Sequence, residues 1–213
     1  MKYVIQLVLV VVIVVLAYLA YESIARPIRF EEAKNERYSE VIQRLKDIRT
    51  AQTAYKDQKG VYADNFDELI SFVKNDSLRV PRKIGLCPDT LTDQMAVEIG
   101  LAVTNLKPGE TPDDILAMGK ILRDTVKMPM LDTLFDPGYQ IDSIRYIPFS
   151  GGEEFKIGAG VVETGSKVKV KVFEAVAKNS QILKGLDKDF FKPSDELRVG
   201  SLIEATNGAG NWE

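Results

Sequence analysis

Residues Tyr3 to Ala20 are apolar at every position but Gln6. Few folds can absorb such a run. Eighteen helical residues at 1.5 Å each extend about 27 Å, close to the hydrocarbon thickness of a bilayer. Each central Leu, Ile or Val favours insertion by roughly 0.3–0.6 kcal/mol, so the sum is favourable by several kcal/mol. Gln6 lies near the end of the run, where a polar side chain costs least. Tyr3, Tyr18 and Tyr21 bracket the run as an aromatic belt does. Residues 1–25 therefore read as a transmembrane anchor, with 3–20 in contact with lipid.

Two other readings of this segment stand beside the anchor. Ser23-Ile24-Ala25 is an acceptable exit for a cleaved signal peptide, with release before Arg26. A buried core helix is the third. Lys2 lies on one side of the run, and Arg26, Arg29, Lys34 and Arg37 lie on the other, interleaved with Glu31, Glu32 and Glu36. Counting basic residues alone does not place the C-terminus outside.

Residues 26–60 continue as an amphipathic helix. Tyr38, Val41, Leu45, Ile48, Gln52 and Tyr55 recur at spacings of three and four, and Glu40 and Arg44 are placed for an i,i+4 pair. Pro27 marks a possible kink just past the membrane, and Gly60 suits the position that closes a helix. The stripe either packs on the chain's own domain or, in its N-terminal half, meets a partner. Phe30, Ala33, Tyr38, Val41 and Leu45 are the candidate interaction residues.

Residues 61–213 read as one α+β domain. Asn65 with Glu68 predicts a capped helix running to about Lys74. A short helix is expected around Met95–Val103. Thr111-Pro112-Asp113-Asp114 opens another that runs to about Val126. Ile144–Phe149, Phe155–Val161 and Lys167–Val172 read as an antiparallel meander, the last with Val168, Val170 and Val172 inward and lysines outward. Leu197-Arg198-Val199 follows in the tail.

Composition bounds the chemistry. The chain has no His and only Cys87, which removes Ser-His-Asp triads, His-ligated zinc, thiolate clusters and intrachain disulfides. Cys87 reads as a free thiol, with an intermolecular disulfide as the alternative. A net charge of −3, from 28 basic and 31 acidic residues, leaves no electrostatic footprint for nucleic acid. Gly160–Lys167 imitates a phosphate loop, but Ser166 precedes Lys167 and a strand follows, so it reads as a hairpin turn. Ser71-x-x-Lys74 has the spacing of serine acyl enzymes without their companion motifs. Asp187-Lys188-Asp189 and Ser194-Asp195-Glu196 read as a solvated loop, with a modest calcium site as the alternative. No cofactor and no catalytic residue is assigned.

The order of elements resembles the type IV pilin and pseudopilin superfamily of bacterial surface filaments and secretion systems. Residues 45–55 with Gly60-Val61-Tyr62, and residues 146–155, are similar to the helix end and to part of the sheet in pseudopilins. The family's short basic leader ending in Gly is not matched by Met1-Lys2, and no Glu falls inside the span. The resemblance implies a long N-terminal helix, half membrane anchor and half packed on a small antiparallel sheet with short helices. It implies a non-catalytic inner-membrane protein with a periplasmic C-terminal domain, meeting other envelope proteins or copies of itself through that helix. The alternative is a released, signal-cleaved ligand-binding domain. An anchored hydrolase using carboxylates or Ser is the third reading.

Overall fold

The computed structural model of the protein describes residues 2–213; Met1, part of the short basic start noted above, lies outside them, as do the side chains of Lys2 and Val4. The fold is mixed α+β, with one long N-terminal helix, short helices and two small sheets rich in antiparallel pairing. The chain forms two compact units, residues up to 69 together with 142–213, and residues 70–141. The sequence reading takes 61–213 as one body. No linker betrays the insertion, because helix α2 (Phe66–Asn75) carries the chain across residue 69 without a break.

In the first unit, α1 (Lys2–Lys59) is a single helix of 58 residues with Pro27 inside it. Proline has no N–H for the Ser23 carbonyl, yet the turns on either side continue. Gly60 closes the helix at φ +76°, where a side chain would be strained, and its N–H reaches the Lys56 carbonyl at 2.7 Å. Ile5 to Leu19 are exposed along one apolar stretch, long and apolar enough to cross a membrane. Further along, Val41, Leu45, Ile48 and Ala51 are fully buried. They pack on the sheet β4 (Lys156–Glu163), β5 (Lys169–Lys178) and β6 (Glu196–Gly200), whose order is β4-β5-β6 and whose pairing is antiparallel throughout. The inward positions Ala175, Ala177 and Val199 are small or medium, which lets the helix backbone lie close. Each fully buried Val, Leu or Ile in this seam contributes about 1.5–3 kcal/mol.

Gly200 ends β6 at φ +73°, and a Cβ there would lie 2.1 Å from the Phe173 carbonyl oxygen. The close pairing of β5 and β6 therefore requires glycine.

The expected strand at 144–149 is replaced by a 3₁₀ turn at Ile141–Arg145 and a lone bridge between Tyr146 and Glu154. Ile141, Ile144 and Ile147 are all buried, and their spacing of three is the period of a 3₁₀ turn rather than of a strand. Val172 is buried, but it shares the outer face with Glu174 and Val176, while Lys171 falls on the side of Phe173 and Ala175, so the alternation holds with its two faces exchanged. Val168 is exposed instead, because it lies in the turn before β5 begins. The link from β5 to β6 is also long, occupied by α6 (Asn179–Ile182) and a 3₁₀ turn at Lys188–Phe190.

The second unit is built on β1 (Ser77–Ile84), β2 (Ala102–Val103) and β3 (Ile121–Pro129), in the order β1-β3-β2, with β2 parallel to β3. β1 is missing from the sequence reading. Pro81 masks it, and Pro81 is tolerated because β1 is an edge strand. The helix predicted over 111–126 ends early. Thr111 caps α4 (Pro112–Ala117) with a full capping box to Asp114, and Gly119 at φ +70° then turns the chain into β3. Ile115 and Leu122 are both buried, so their helical spacing was coincidental. The helix expected near 95–103 is α3 (Asp93–Glu98), capped by Thr92. A short α5 (Met130–Leu134) follows β3.

Candidate functional site

The candidate residues on α1 are positioned by the segment between β5 and β6. Phe30 is buried, with the Phe190 ring centroid 5.3 Å away and the Phe191 ring stacked at 6.1 Å. One turn earlier, Arg26 pairs with Asp187 and its guanidinium lies 5.8 Å over the Phe190 ring. Two turns later, Arg37 donates to the carbonyls of Ile182 (3.0 Å) and Lys184 (2.9 Å), which α6 leaves without helical partners. Tyr38 donates to Asn179 Oδ1 at 2.7 Å, and Asn179 is itself buried. Residues 179–191 thus form a collar on α1 between Arg26 and Tyr38.

The electrostatics of the collar follow from these contacts. The Asp189 N–H, and then Arg26, hold the Asp187 carboxyl below its ordinary range. Lys184 and Gln181 do the same for Glu153. At the far end of α1, Arg49 reaches the Gly208 carbonyl and Glu213, and lowers the Glu213 pKa. Arg44, expected to face Glu40, donates to Ser143 Oγ at 2.7 Å.

Of the five candidate interaction residues, Phe30, Val41 and Leu45 are buried by the chain's own unit, and Ala33 and Tyr38 are half-buried. The seam at 30–45 is taken by the collar and the sheet because those elements carry the matching apolar surface. What α1 exposes over the same length is polar, including Glu32, Glu36, Glu40 and Gln43.

The outer face of the β4-β5-β6 sheet carries a second feature, an open cleft of about 630 Å3. Its floor is the row Lys156–Val176–Arg198, three residues in direct register across the strands, and Leu202 leans over Gly158 on one side. Lys178, Glu174 and Glu196 add to its polar lining, with Glu153, Glu154 and Gln181 at its rim.

The motifs that imitate catalytic sites have structural employment. Lys167 takes φ 60° in the β4–β5 turn and donates its N–H to the Thr164 carbonyl. Ser71 Oγ accepts from Asn75. Asp187 caps the 3₁₀ turn that follows it. Cys87 packs half-buried against Ala96, Ala102 and Ile121, its Sγ 3.6 Å from the Leu91 carbonyl. Among the described residues, no group of three or more Cys, Asp or Glu side chains is arranged to hold a metal.

Compared with protein-family models, with characterised proteins and with solved structures, the chain matches none.

Proposed function

We propose that the chain is a single-pass membrane protein of pilin-like layout, non-catalytic, whose first unit is carried at the surface of a bacterial inner membrane for contact with other envelope proteins or with copies of itself. The observation that supports this reading is the continuity of α1. One helix passes from an exposed apolar segment at 5–19 into a fully buried seam at 41–51 with no flexible link between. A released domain has no need of such a joint, whereas an anchored one uses it to fix its orientation. The C-terminal part is placed on the periplasmic side by the pilin-like layout alone.

A second reading is favoured by the outer-face cleft. A chain cleaved before Arg26 would keep the collar, the seam and the cleft, and would act as a soluble ligand-binding protein. The two are separated by the intact mass and N-terminal sequence of the protein from its own cells, with membrane and soluble fractions kept apart. A membrane-bound chain that retains residues 3–20 supports the anchored protein. A soluble chain beginning at Arg26 overturns it.

A further inference from the structure

We propose that the 187–192 loop, together with the turn of α1 at 24–29, is a lipid-contact surface that sits in the headgroup layer of the bilayer and binds anionic phospholipid. The proposal rests on the reading of α1 as a membrane span. Its geometry is independent of any partner. Arg26 and Phe30, which hold the loop, lie six and ten residues beyond Ala20, hence about 9 and 15 Å along the helix axis. The headgroup layer on each side of a bilayer is about 5–8 Å deep. Arg26 therefore stands at the outer edge of that layer once the apolar run fills the hydrocarbon, and its side chain, tilted toward the helix N-terminus, brings the loop that it holds back toward the headgroups.

The loop has the chemistry of an interfacial contact. Phe190 keeps 37 % of its surface exposed although its ring is clamped between Arg26 and Phe30. On the other side of the helix, Ile24 and Ile28 are 66 % and 53 % exposed, one helical turn apart. Exposed apolar surface thus lies on two sides of α1 at this level, beside the exposed guanidinium groups of Arg26 and Arg29. Tyr18 and Tyr21 lie just below it.

The charges sort in the same sense. Asp187 is occupied by Arg26, and Glu22 by Arg29. Lys188 and Lys192 are exposed and have no ion-pair partner among the described residues. Asp189 is the exposed acid that opposes them. A lysine held at the surface of an anionic leaflet gains from its phosphates, and the anchor removes the cost of bringing it there.

The test uses the full chain in phosphatidylcholine vesicles with brominated acyl chains, with and without phosphatidylglycerol. In a Trp212→Phe background, three reporters are compared: Leu16→Trp in the span, Phe190→Trp in the loop and Ser166→Trp in the β4–β5 turn. Lys171 donates to the Gly60 carbonyl, which places that turn near the far end of α1, about 60 Å from Ala20. The proposal expects quenching and a blue shift for Leu16→Trp and Phe190→Trp, and neither for Ser166→Trp. It expects Lys188→Glu with Lys192→Glu to reduce the Phe190→Trp signal in the anionic vesicles. Quenching at Leu16→Trp with none at Phe190→Trp overturns the loop contact and leaves the span standing. Loss of quenching at Leu16→Trp overturns both. Quenching at Phe190→Trp that ignores phosphatidylglycerol and the lysine reversals overturns the assignment to anionic lipid. Should the tryptophan variants fail to fold, the native chain gives a second readout. Trypsin cleavage after Lys188 slows in anionic vesicles relative to neutral ones while cleavage after Lys167 does not, and equal rates at Lys188 overturn the proposal.

Discussion

At the scale of single residues, the polar groups that matter are those the apolar pattern conceals. Gln52 continues the stripe of α1 in the sequence and is fully buried, but its job is polar. Its side chain donates to the Ala63 carbonyl at 2.8 Å and accepts from the Ala63 N–H at 3.0 Å, pairing with the chain just past the helix as a strand would. Gln52→Leu keeps the shape and orphans both groups. It is expected to cost about 3 kcal/mol, checked by urea unfolding, because a buried backbone donor and acceptor lose their partners together. In the second unit, Asp93 takes Lys83 and Arg123, each at 2.5 Å. The bond from Lys83 first, then that from Arg123, lowers the Asp93 pKa below its ordinary 3.8. A lowered folded pKa means stability that is present above the unfolded value and is lost as pH falls through the folded one. Thermal melts of the wild type should therefore lose stability as pH drops from about 5 to below the ordinary carboxylate range. Asp93→Asn is expected to be less stable at neutral pH and to show a shallower decline. The pair Lys83–Asp93 joins a strand to a helix ten residues later, and no local spacing announces it. The Asn65 and Thr111 caps, by contrast, were legible, because each is written within four residues.

At the scale of elements, what could be read from the sequence was whatever a single period decides. The apolar run and the stripe of α1 each follow one rule over several turns, whereas the alternation in β5 announces the strand but not which of its faces meets α1. The failures lie where two rules compete. Ile141, Ile144 and Ile147 look like part of a β-rich stretch yet obey a spacing of three. Ile121 and Leu122 extend a helical pattern across a glycine that ends it. β1 was lost to Pro81. The seam of α1 is the element on which the first unit depends. Leu45→Asp places an unpaired carboxylate in a fully buried position and is expected to cost more than about 4 kcal/mol. Limited proteolysis should then open the first unit, and Val41→Asp should behave alike. If either variant melts like the wild type, the packing of α1 on the sheet carries less than its burial implies. The collar was unreadable because its members, Arg26, Phe30 and Arg37 on one side and residues 179–191 on the other, are some 150 residues apart. The adjacent Phe190 and Phe191 in a charged loop were the one available hint.

At the scale of the whole molecule, the apolar segment and the folded units make separable demands. The buried residues of the first unit begin at Phe30, beyond the run at 3–20. A chain of residues 26–213 is therefore expected to be soluble without detergent and to melt within a few degrees of the full chain in micelles, since none of the described residues before Arg26 is buried. Sedimentation and calorimetry check both points; aggregation of the shortened chain would show that residues before 26 support the fold.

The joint between span and head has a statistical consequence. On the anchored reading, with α1 uninterrupted and gripped by the collar between Arg26 and Tyr38, the first unit does not swivel freely about the point where it leaves the bilayer. Copies in one membrane then share a common tilt and a common height. They meet with only translation in the plane and rotation about the membrane normal left to lose. The orientational search that limits association between freely tumbling proteins is shortened accordingly. A polar face as modest as Glu32, Glu36, Glu40 and Gln43 can act as a contact under those terms, at an affinity too weak to register between the same units in solution.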